Sequence, residues 1–230
     1  MPIYKKVNKD FFKIWTPEMA YVLGFFAADG YITVNKRGGQ FWCIQITDKK
    51  LLESIKRAIK ADHKISIRLP KKSGENLLYR LQIGSIEICN DLRELGFSER
   101  KTKSLAIPNV PEEYFNDFVR GYFDGDGNVW VGYIHKDKNK KNFNLTIKTV
   151  FTSCSFRFLK QFHTRLLKTA VHGGSIHKSK GNYSRLQFSV KDSLKLYDLM
   201  YNGNIGDFLG LFLDRKKKIF EKFKKLRLRS

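Results

Sequence analysis

Cysteine is scarce in this chain of 230 residues, which contains Cys43, Cys89 and Cys154. The three are far apart and form no CxxC pair, which argues against a disulfide framework and against a zinc site. Long apolar runs are also missing, since stretches such as Ala20–Ala28 are far shorter than a membrane-spanning helix. The N-terminus has no apolar segment typical of a secretory signal. We therefore expect an intracellular protein, cytoplasmic or in the nucleoid, or in an organelle if the gene is organellar.

Acidic residues are the second shortage. The chain has 22 Asp and Glu against 44 Lys and Arg, which gives a formal net charge of +22 and a pI of about 9.9. Hydrophobic residues make up 42% and aromatic residues 14%, so the chain has ample material for a core and is not a disordered basic tail. A folded protein with such an excess of positive charge is expected to bind a polyanion, and nucleic acid is the first candidate.

The chain reads as two copies of one unit. MAYVLGFFAADG at 19–30 aligns with FNDFVRGYFDGDG at 115–127, so that Gly24 matches Gly121 and Asp29 matches Asp126, 97 residues apart. Each copy continues with two strand-like runs, a helical pattern, two more strand-like runs and a last helix. We predict an α+β fold of tandem pseudo-twofold αββαββα repeats with two antiparallel four-stranded sheets. The predicted halves are 1–103 and 113–230, joined by the Pro-containing linker 104–112.

The strand-like runs alternate between apolar and polar residues, which predicts sheets with one buried face. Ile65, Ile67 and Leu69 are expected on the buried face of the first sheet, and Phe143, Leu145, Ile147 and Phe151 on that of the second. An ordinary solvated face would mix Lys with Glu, whereas these polar faces have almost no acid. Basic, amide and hydroxyl side chains bind base edges and phosphates. The candidate DNA-binding residues are Tyr31, Thr33, Asn35, Lys64, Ser66, Arg68, Arg80, Gln82, Asn128, Trp130, Asn144, Thr146, Lys148, His177, Tyr183, Arg185 and Gln187.

Each repeated helix has two small residues four positions apart, Gly24 and Ala28 in the first and Gly121 and Gly125 in the second. Small residues at this spacing allow two helix backbones to approach closely, so we expect the two helices to pack together. Asp29 and Asp126 would then lie side by side at the helix C-termini, where the helix dipoles add negative charge. A proton or a divalent cation must relieve this repulsion, and oxygen ligands favour Mg²⁺. Paired acids that hold metal suit hydrolysis of two phosphodiesters.

These residues resemble the LAGLIDADG homing endonucleases in their single-chain, two-motif form. The motif corresponds to LGFFAADG at 23–30 and RGYFDGDG at 120–127, with Ala27 in place of an acid in the first copy. The resemblance implies that Asp29 and Asp126 bind the metal, with backbone groups of Ala28 and Gly125 as further ligands. It also implies Mg²⁺ or Mn²⁺ as the active cation, while Ca²⁺ would occupy the site without supporting cleavage.

The family also has a basic residue near each active centre. A segment resembling K-[ST]-x-x-L-x-x-P begins at Lys101, and the repeat pairs Lys101 with Lys216, with Lys103 and Lys218 as rivals. Stabilisation of transition-state charge and activation of water are the catalytic roles considered, and simple phosphate contact is the alternative. Gln45 resembles a polar position that contacts water or metal, and we take Val150 as its repeat partner. For the basic tail 214–229, phosphate contact is favoured over a solvated helix end.

The resemblance implies a monomer whose two sheets form a saddle on double-stranded DNA, with the two motif helices at the interface. It implies a metal-dependent double-strand break in a long asymmetric target, with 3′ overhangs, in the service of intron homing. A free-standing or intron-encoded enzyme is expected rather than an intein fragment, with no obligate protein partner and no membrane. The alternatives are an RNA-binding maturase of the host intron and a catalytically idle DNA-binding regulator. Retention of both Asp29 and Asp126 favours cleavage.

Overall fold

The computed structural model describes residues 5–70, 72–99, 104–135, 143–202 and 210–228. The first repeat contains α1 (Pro17–Asp29), β1 (Gly30–Val34), β2 (Gln40–Ile46), α2 (Lys49–Ala58), β3 (Ser66–Arg68), β4 (Leu78–Gly84) and α3 (Ile86–Glu94). The second contains α4 (Phe115–Asp126), β5 (Gly127–His135), β6 (Phe143–Ser153), α5 (Phe156–Thr169), β7 (Ser175–Lys178), β8 (Ser184–Phe188) and α6 (Val190–Tyr201), and is followed by α7 (Asp214–Arg227). The predicted αββαββα order and the α+β class are confirmed.

The strands form two four-stranded antiparallel sheets of identical topology. The first sheet has the order β1-β2-β4-β3, and the second has the order β5-β6-β8-β7. In each sheet the first strand directly continues the motif helix, since Gly30 follows Asp29 and Gly127 follows Asp126. The last residue of each motif is therefore fixed at one corner of a sheet.

Two compact units divide the chain. Unit 1 comprises Met1–Gly125 with Gly206–Phe212, and unit 2 comprises Asp126–Ile205 with Leu213–Ser230. Helix α4 belongs to unit 1 up to Gly125, because it packs against α1. The linker at 104–112 was inferred from the sequence as the boundary between the two repeats, and it stays a prediction.

Helix α1 is the central element of unit 1. The side chain of Thr16 caps its N-terminus by accepting a hydrogen bond from the N–H of Met19, and Pro17 occupies the first turn, where no N–H partner is needed. All residues from Met19 to Ala27 are buried, as expected for a helix that is apolar on every side. Phe26 of α1 stacks on Trp42 of β2, with ring centroids 6.0 Å apart, and so packs the helix against the first sheet.

The contact between α1 and α4 depends on glycine. A Cβ atom placed on Gly24 would overlap the carbonyl oxygen of Phe118, and one placed on Gly121 would overlap the carbonyl oxygen of Tyr21. Both obstacles are backbone atoms, which cannot rotate away. The two helices therefore touch backbone to backbone, as the small-residue spacing predicts.

Unit 2 has a separate aromatic core beneath its sheet. Phe151 on β6 makes edge-to-face contacts with Phe162 of α5 and Phe188 of β8, at centroid distances of 5.0 and 6.1 Å. Helix α7 joins this unit by burying Phe220 and Phe223, and Phe220 packs against Tyr197 of α6. The apolar residues of α7 therefore have a structural role, while most of its basic residues face outward.

Three apolar residues expected on buried faces are exposed instead. Ile67 and Leu69 have exposed fractions of 60% and 69%, because β3 is short and lies at the sheet edge and Leu69 follows its last residue. Phe143 has an exposed fraction of 56%, because the β5–β6 pair extends as far as His135 and Phe143. The described helices include none with the length and apolar character needed to cross a membrane.

The glycine contact can be tested by substitution. Gly24→Ala and Gly121→Ala should each lower the free energy of unfolding by about 1–3 kcal/mol, because the new methyl group meets rigid backbone. Urea denaturation measures this change. Gly181→Ala is the matched control, since its Cβ would meet only the ring of Tyr183 in an exposed turn, and it should change stability by less than about 0.5 kcal/mol. Equal effects of all three substitutions would contradict the close helix contact.

Candidate active centre and nucleic-acid interface

Asp29 lies at the exposed C-terminal end of α1. A Cβ atom on Gly125 would overlap the Cβ of Ala28 and lie 3.3 Å from Asp29 Oδ2. The predicted small residues Ala28 and Gly125 therefore meet at this point. A larger residue at position 125 would crowd the Asp29 carboxylate, so glycine keeps the space beside that carboxylate open.

Asp126 is the last residue of α4 and is half-buried. The next residue, Gly127, begins β5, and its carbonyl oxygen accepts a hydrogen bond of 2.6 Å from Lys216 Nζ. Lys216 lies in the first turn of α7 and has an exposed fraction of only 5%. The structure thus brings one of the predicted basic residues to the end of the second motif.

The outcome for the other predicted basic residues differs from that for Lys216. Lys101 and its rival Lys103 lie outside the described residues. Lys218 is exposed on α7, so Lys216 rather than Lys218 is the residue beside Gly127. Farther along α7, Lys224 lies 4.5 Å from the ring centroid of Tyr197 and 3.9 Å from Asp198. This lysine supports the packing of α7 on α6, and phosphate contact by the tail stays a prediction.

A buried polar pair joins the N-terminal half of α1 to the C-terminal end of α4. The hydroxyl of Tyr21 donates a 2.7 Å hydrogen bond to Asp124 Oδ2, and both residues are buried. At the repeat-equivalent positions the chain has Phe118 and Ala27, so the pair occurs once rather than twice. Ala27 is visible in the sequence as a departure from the motif, whereas the partner of Asp124 was not predicted, because helix rotation is not visible in a single sequence.

Arg120 forms a second buried network that the sequence analysis missed. Its guanidinium pairs with Asp117 at 2.6 Å, donates to the carbonyl oxygen of Leu211 at 3.2 Å, and lies 5.3 Å from the ring centroid of Tyr21. Burial raises the pKa of Asp117, and the charge of Arg120 opposes that rise. A charged residue inside a motif helix is the one sequence signal for this network, because buried charges need partners.

The sheet register corrects one repeat assignment. Gly30 is opposite Ile44 and Gly127 is opposite Phe151, so Gln45 corresponds to Thr152 and not to Val150. Val150 corresponds instead to Cys43. Both halves therefore have a polar residue at this position, one residue beyond the strand partner of the motif glycine.

The predicted polar face of the first sheet exists. Tyr31 is opposite Cys43, Gln45 is opposite Arg80, and Arg80 is in turn opposite Ser66, so these side chains share one face. Leu81 and Ile83, which alternate with Arg80 and Gln82 on β4, are fully buried on the other face. The remaining candidates on these strands are Thr33 and Arg68, opposite Phe41 and Leu78.

Burial changes the pKa values of two side chains near the corner of this sheet. Burial raises the pKa of Cys43 to about 11 and also raises the pKa of Tyr31. The charge of Arg80 opposes the rise in the pKa of Tyr31 but does not offset the effect of burial. The thiol is therefore neutral at physiological pH, and the polar group presented beside the first motif is the phenol with its neighbouring guanidinium.

The second sheet has a matching face. Trp130 is opposite Lys148 and Thr152 is opposite Arg185. A cavity of about 410 Å³ opens on this face, lined by the candidates Asn128, Trp130, Lys148 and Arg185 together with Val150 and Thr152. Gln187 and His177 share the face through their pairing with Val150 and Arg185.

A few DNA-binding candidates lie at the margins of these faces. Asn35 and Lys64 are outside strands, and the Asn35 carboxamide oxygen accepts hydrogen bonds from the N–H groups of Arg37 and Gly39 within its own turn. Tyr183 precedes β8, and its ring lies beneath Arg185. Thr146 is buried opposite Gly132, whereas Asn144 is exposed opposite Ile134.

The donor atoms at the motif ends are oxygens. Among the described residues no group of three or more His, Cys, Asp and Glu side chains could hold a metal ion. The histidines of the second repeat have local partners, with His163 Nε2 at 2.9 Å from the Gly173 carbonyl oxygen and His177 Nε2 at 2.8 Å from Ser175 Oγ. Asp29 and Asp126 are thus the carboxylates that the motif pattern and the helix ends single out.

The Tyr21–Asp124 pair can be tested by a double-mutant cycle. Tyr21→Phe should lower the free energy of unfolding by about 2 kcal/mol, because it removes a hydrogen bond to a buried carboxylate. Tyr21→Phe combined with Asp124→Ala recreates the residues found at Phe118 and Ala27. In urea denaturation, the loss in free energy of unfolding of the double variant should be smaller than the sum of the losses of the two single variants by at least about 1 kcal/mol. Strict additivity would contradict a direct coupling.

Comparison with known proteins agrees with these features. Residues 16–96 match the family model described as a LAGLIDADG-like domain. Two curated proteins of Methanocaldococcus jannaschii are similar to the chain: the uncharacterized protein MJ0398, at 25% identity over 76% of this chain, and the DNA-directed RNA polymerase subunit Rpo1C, at 29% identity over 90%. The chain spans 57% and 26% of their respective lengths.

Solved structures share the fold along nearly the whole chain. The LAGLIDADG meganuclease I-AabMI bound to uncleaved DNA has a TM-score of 0.59 at 19% identity, covering 92% of this chain and 90% of that one. The LAGLIDADG homing endonuclease I-SmaMI bound to cleaved DNA has a TM-score of 0.61 at 17% identity, covering 94% and 89%. The resemblance expected from the two motifs is confirmed: residues 16–96 match a LAGLIDADG-like domain, and the chain has the fold of the single-chain LAGLIDADG meganucleases.

Proposed function

We propose that this protein is a site-specific homing endonuclease that makes a metal-dependent double-strand break in a long asymmetric DNA target. One observation carries the proposal. Each motif helix ends in an aspartate, Asp29 or Asp126, and the next residue starts a strand of a sheet with a basic and amide-rich face. Cleavage chemistry and base recognition are thus joined within a few residues, twice in one chain. The break leaves 3′ overhangs and serves the homing of an intron.

Double-stranded DNA is the proposed substrate. The net charge of +22 favours a polyanion, and the exposed faces carry the residue types that contact phosphates and base edges. The meganucleases I-AabMI and I-SmaMI, which share the fold, were solved on DNA. The protein acts as a monomer, because one chain supplies two motifs and two sheets. Its place of action is where the target DNA is, in the cytoplasm or nucleoid or in an organelle.

The donor set fits a hard divalent cation. Mg²⁺ is commonly held by one or two carboxylates and completes its coordination with substrate phosphates and water. Asp29 and Asp126 supply carboxylates, and the backbone groups of Ala28 and Gly125 are adjacent to them in the chain. When bound, Mg²⁺ or Mn²⁺ supplies Lewis-acid stabilisation of the charge that develops on the phosphate. Ca²⁺ is proposed to occupy the site without supporting cleavage, and one I-SmaMI structure was solved in the presence of calcium ions.

The residues of the chain have distinct proposed roles. Asp29 and Asp126 orient the two phosphates to be cut, one on each strand. Lys216 places a positive charge within hydrogen-bonding distance of Gly127, the residue after Asp126, where it stabilises transition-state charge or helps to activate water. Lys101 is its proposed counterpart in the first half. Gln45, and by register Thr152, are polar groups suited to orient water beside each motif.

Both carboxylates can be tested directly. Asp29→Asn and Asp126→Asn should each abolish double-strand cutting in Mg²⁺ while DNA binding survives, because the amide removes a metal ligand and changes little of the shape. The measurement is a cleavage selection on a randomised duplex library, with EDTA as the metal-free control. Asp62→Asn, an exposed site next to α2, is the matched control and should cut like the unaltered protein. Normal cutting by either motif variant would overturn the metal assignment.

The binding face can be tested through its salt dependence. Lys148→Ala should reduce by about 1 the slope of log affinity against log salt concentration, because one phosphate contact is lost. The exposed Lys160 of α5 provides the control, since Lys160→Ala removes the same charge from a helix surface. Identical slopes for both variants would place the DNA-binding face elsewhere on the protein.

A further inference from the structure

The tripeptide Arg-Leu-Gln occurs twice, at 80–82 and at 185–187. The first copy lies on β4 and the second on β8, the third strand in the order of each sheet. In both copies the central leucine is fully buried, so the arginine and the glutamine point together to the opposite, polar face. The same pair of side chains is therefore presented by each sheet.

The register shows that the two copies occupy the same position in each sheet. Arg80 is opposite Gln45, which lies one residue beyond the partner of Gly30. Arg185 is opposite Thr152, which lies one residue beyond the partner of Gly127. The glutamines agree as well, since Gln82 is opposite Cys43 and Gln187 is opposite Val150. Each pair thus has the same offset from the motif aspartate of its own half.

Arg185 is held in place by a neighbouring tyrosine. Arg185 Nη2 donates to the Tyr183 hydroxyl at 3.2 Å, and the guanidinium lies 5.3 Å from the centre of that ring. Arg80 is half-buried on the polar face that it shares with Tyr31. A guanidinium oriented before binding loses less freedom when it forms a bidentate contact.

The chemistry of these side chains specifies a pair of bases. Arginine makes a bidentate contact with guanine, and glutamine makes one with adenine in the major groove. Residues two apart on a strand are separated by about 7 Å, which corresponds to about two base-pair steps. The neighbours of the repeated pair differ between the sheets, with Tyr31 and Cys43 in one and Asn128 and Val150 in the other. The remaining bases are accordingly read differently.

We infer that the two half-sites of the target share one inverted element, a G·C pair read by Arg80 or Arg185 and an A·T pair read by Gln82 or Gln187. The inference rests on the proposed function. Because each half cuts one strand, the two copies of the element lie on opposite strands at the same offset from their respective cuts. The rest of the target is asymmetric.

The test separates base reading from cutting. A randomised duplex library is selected by binding to the full chain without Mg²⁺, and the bound sequences are compared with those cleaved in Mg²⁺. The expected result is an inverted G and A element at equal offsets, with a preference of about tenfold or more at each guanine. Selected sites without inverted symmetry at these positions would overturn the inference even if cleavage occurs.

Two variants assign the element to its readers. Arg80→Gln should change guanine to adenine preference in one half-site, and Arg185→Gln should make the same change in the other half-site only. Arg157→Gln, on the exposed surface of α5, removes the same charge and should leave both preferences intact. Unchanged base preferences in both Arg80→Gln and Arg185→Gln would refute the assignment. Sequence-selective binding without cleavage would refute the proposed nuclease activity and support the inferred base contacts. Binding without base preference would refute those base contacts.

Discussion

The backbone contact between α1 and α4 is the constraint on which the packing of unit 1, and the placement of its motif end at Asp29, depend. Because Gly24 and Gly121 each face a carbonyl oxygen of the other helix, the two helices approach too closely for a side chain at either position. At such a distance only side chains of particular size fit between the helices. Farther along, Ala28 and Gly125 meet, and the Asp29 carboxylate finds space beside them. The position of the first sheet then follows, since β1 continues α1 without an intervening loop.

The same contact accounts for the polar groups buried inside unit 1. A helix pair that excludes water must satisfy every polar side chain internally. Tyr21 and Asp124 satisfy each other, and Arg120 reaches both Asp117 and the Leu211 carbonyl. These contacts are directional, so they favour one rotation and one register of the helices, whereas apolar packing alone would tolerate several. The halves differ here, because Phe118 and Ala27 are apolar where Tyr21 and Asp124 are polar.

Much of the fold was predictable because its signals are local and repeated. The motifs recur after 97 residues, the strand alternation and the turn residues recur in the same sequence of elements, and that order matches the structure. Errors arose where tertiary context decides. Ile67, Leu69 and Phe143 fit the alternation but are exposed, because they lie at a sheet edge or at the end of a strand pair. Gln45 was matched with Val150 because a single sequence shows spacing and not register. The partners of Asp124 and Arg120 depend on helix rotation, which no local pattern reveals.

The return of the chain to unit 1 near Leu211 bears on how such proteins can be recombined. Unit 1 consists of two separate stretches, and the second lies between α6 and α7 of unit 2. Arg120, on the first stretch, is anchored by the carbonyl oxygen of Leu211 on the second. A chimera joined once, after Gly125, would therefore take part of its first unit from the wrong parent. Shuffling of halves between related chains, in the laboratory or in evolution, needs coordinated junctions on both sides of this short returning segment.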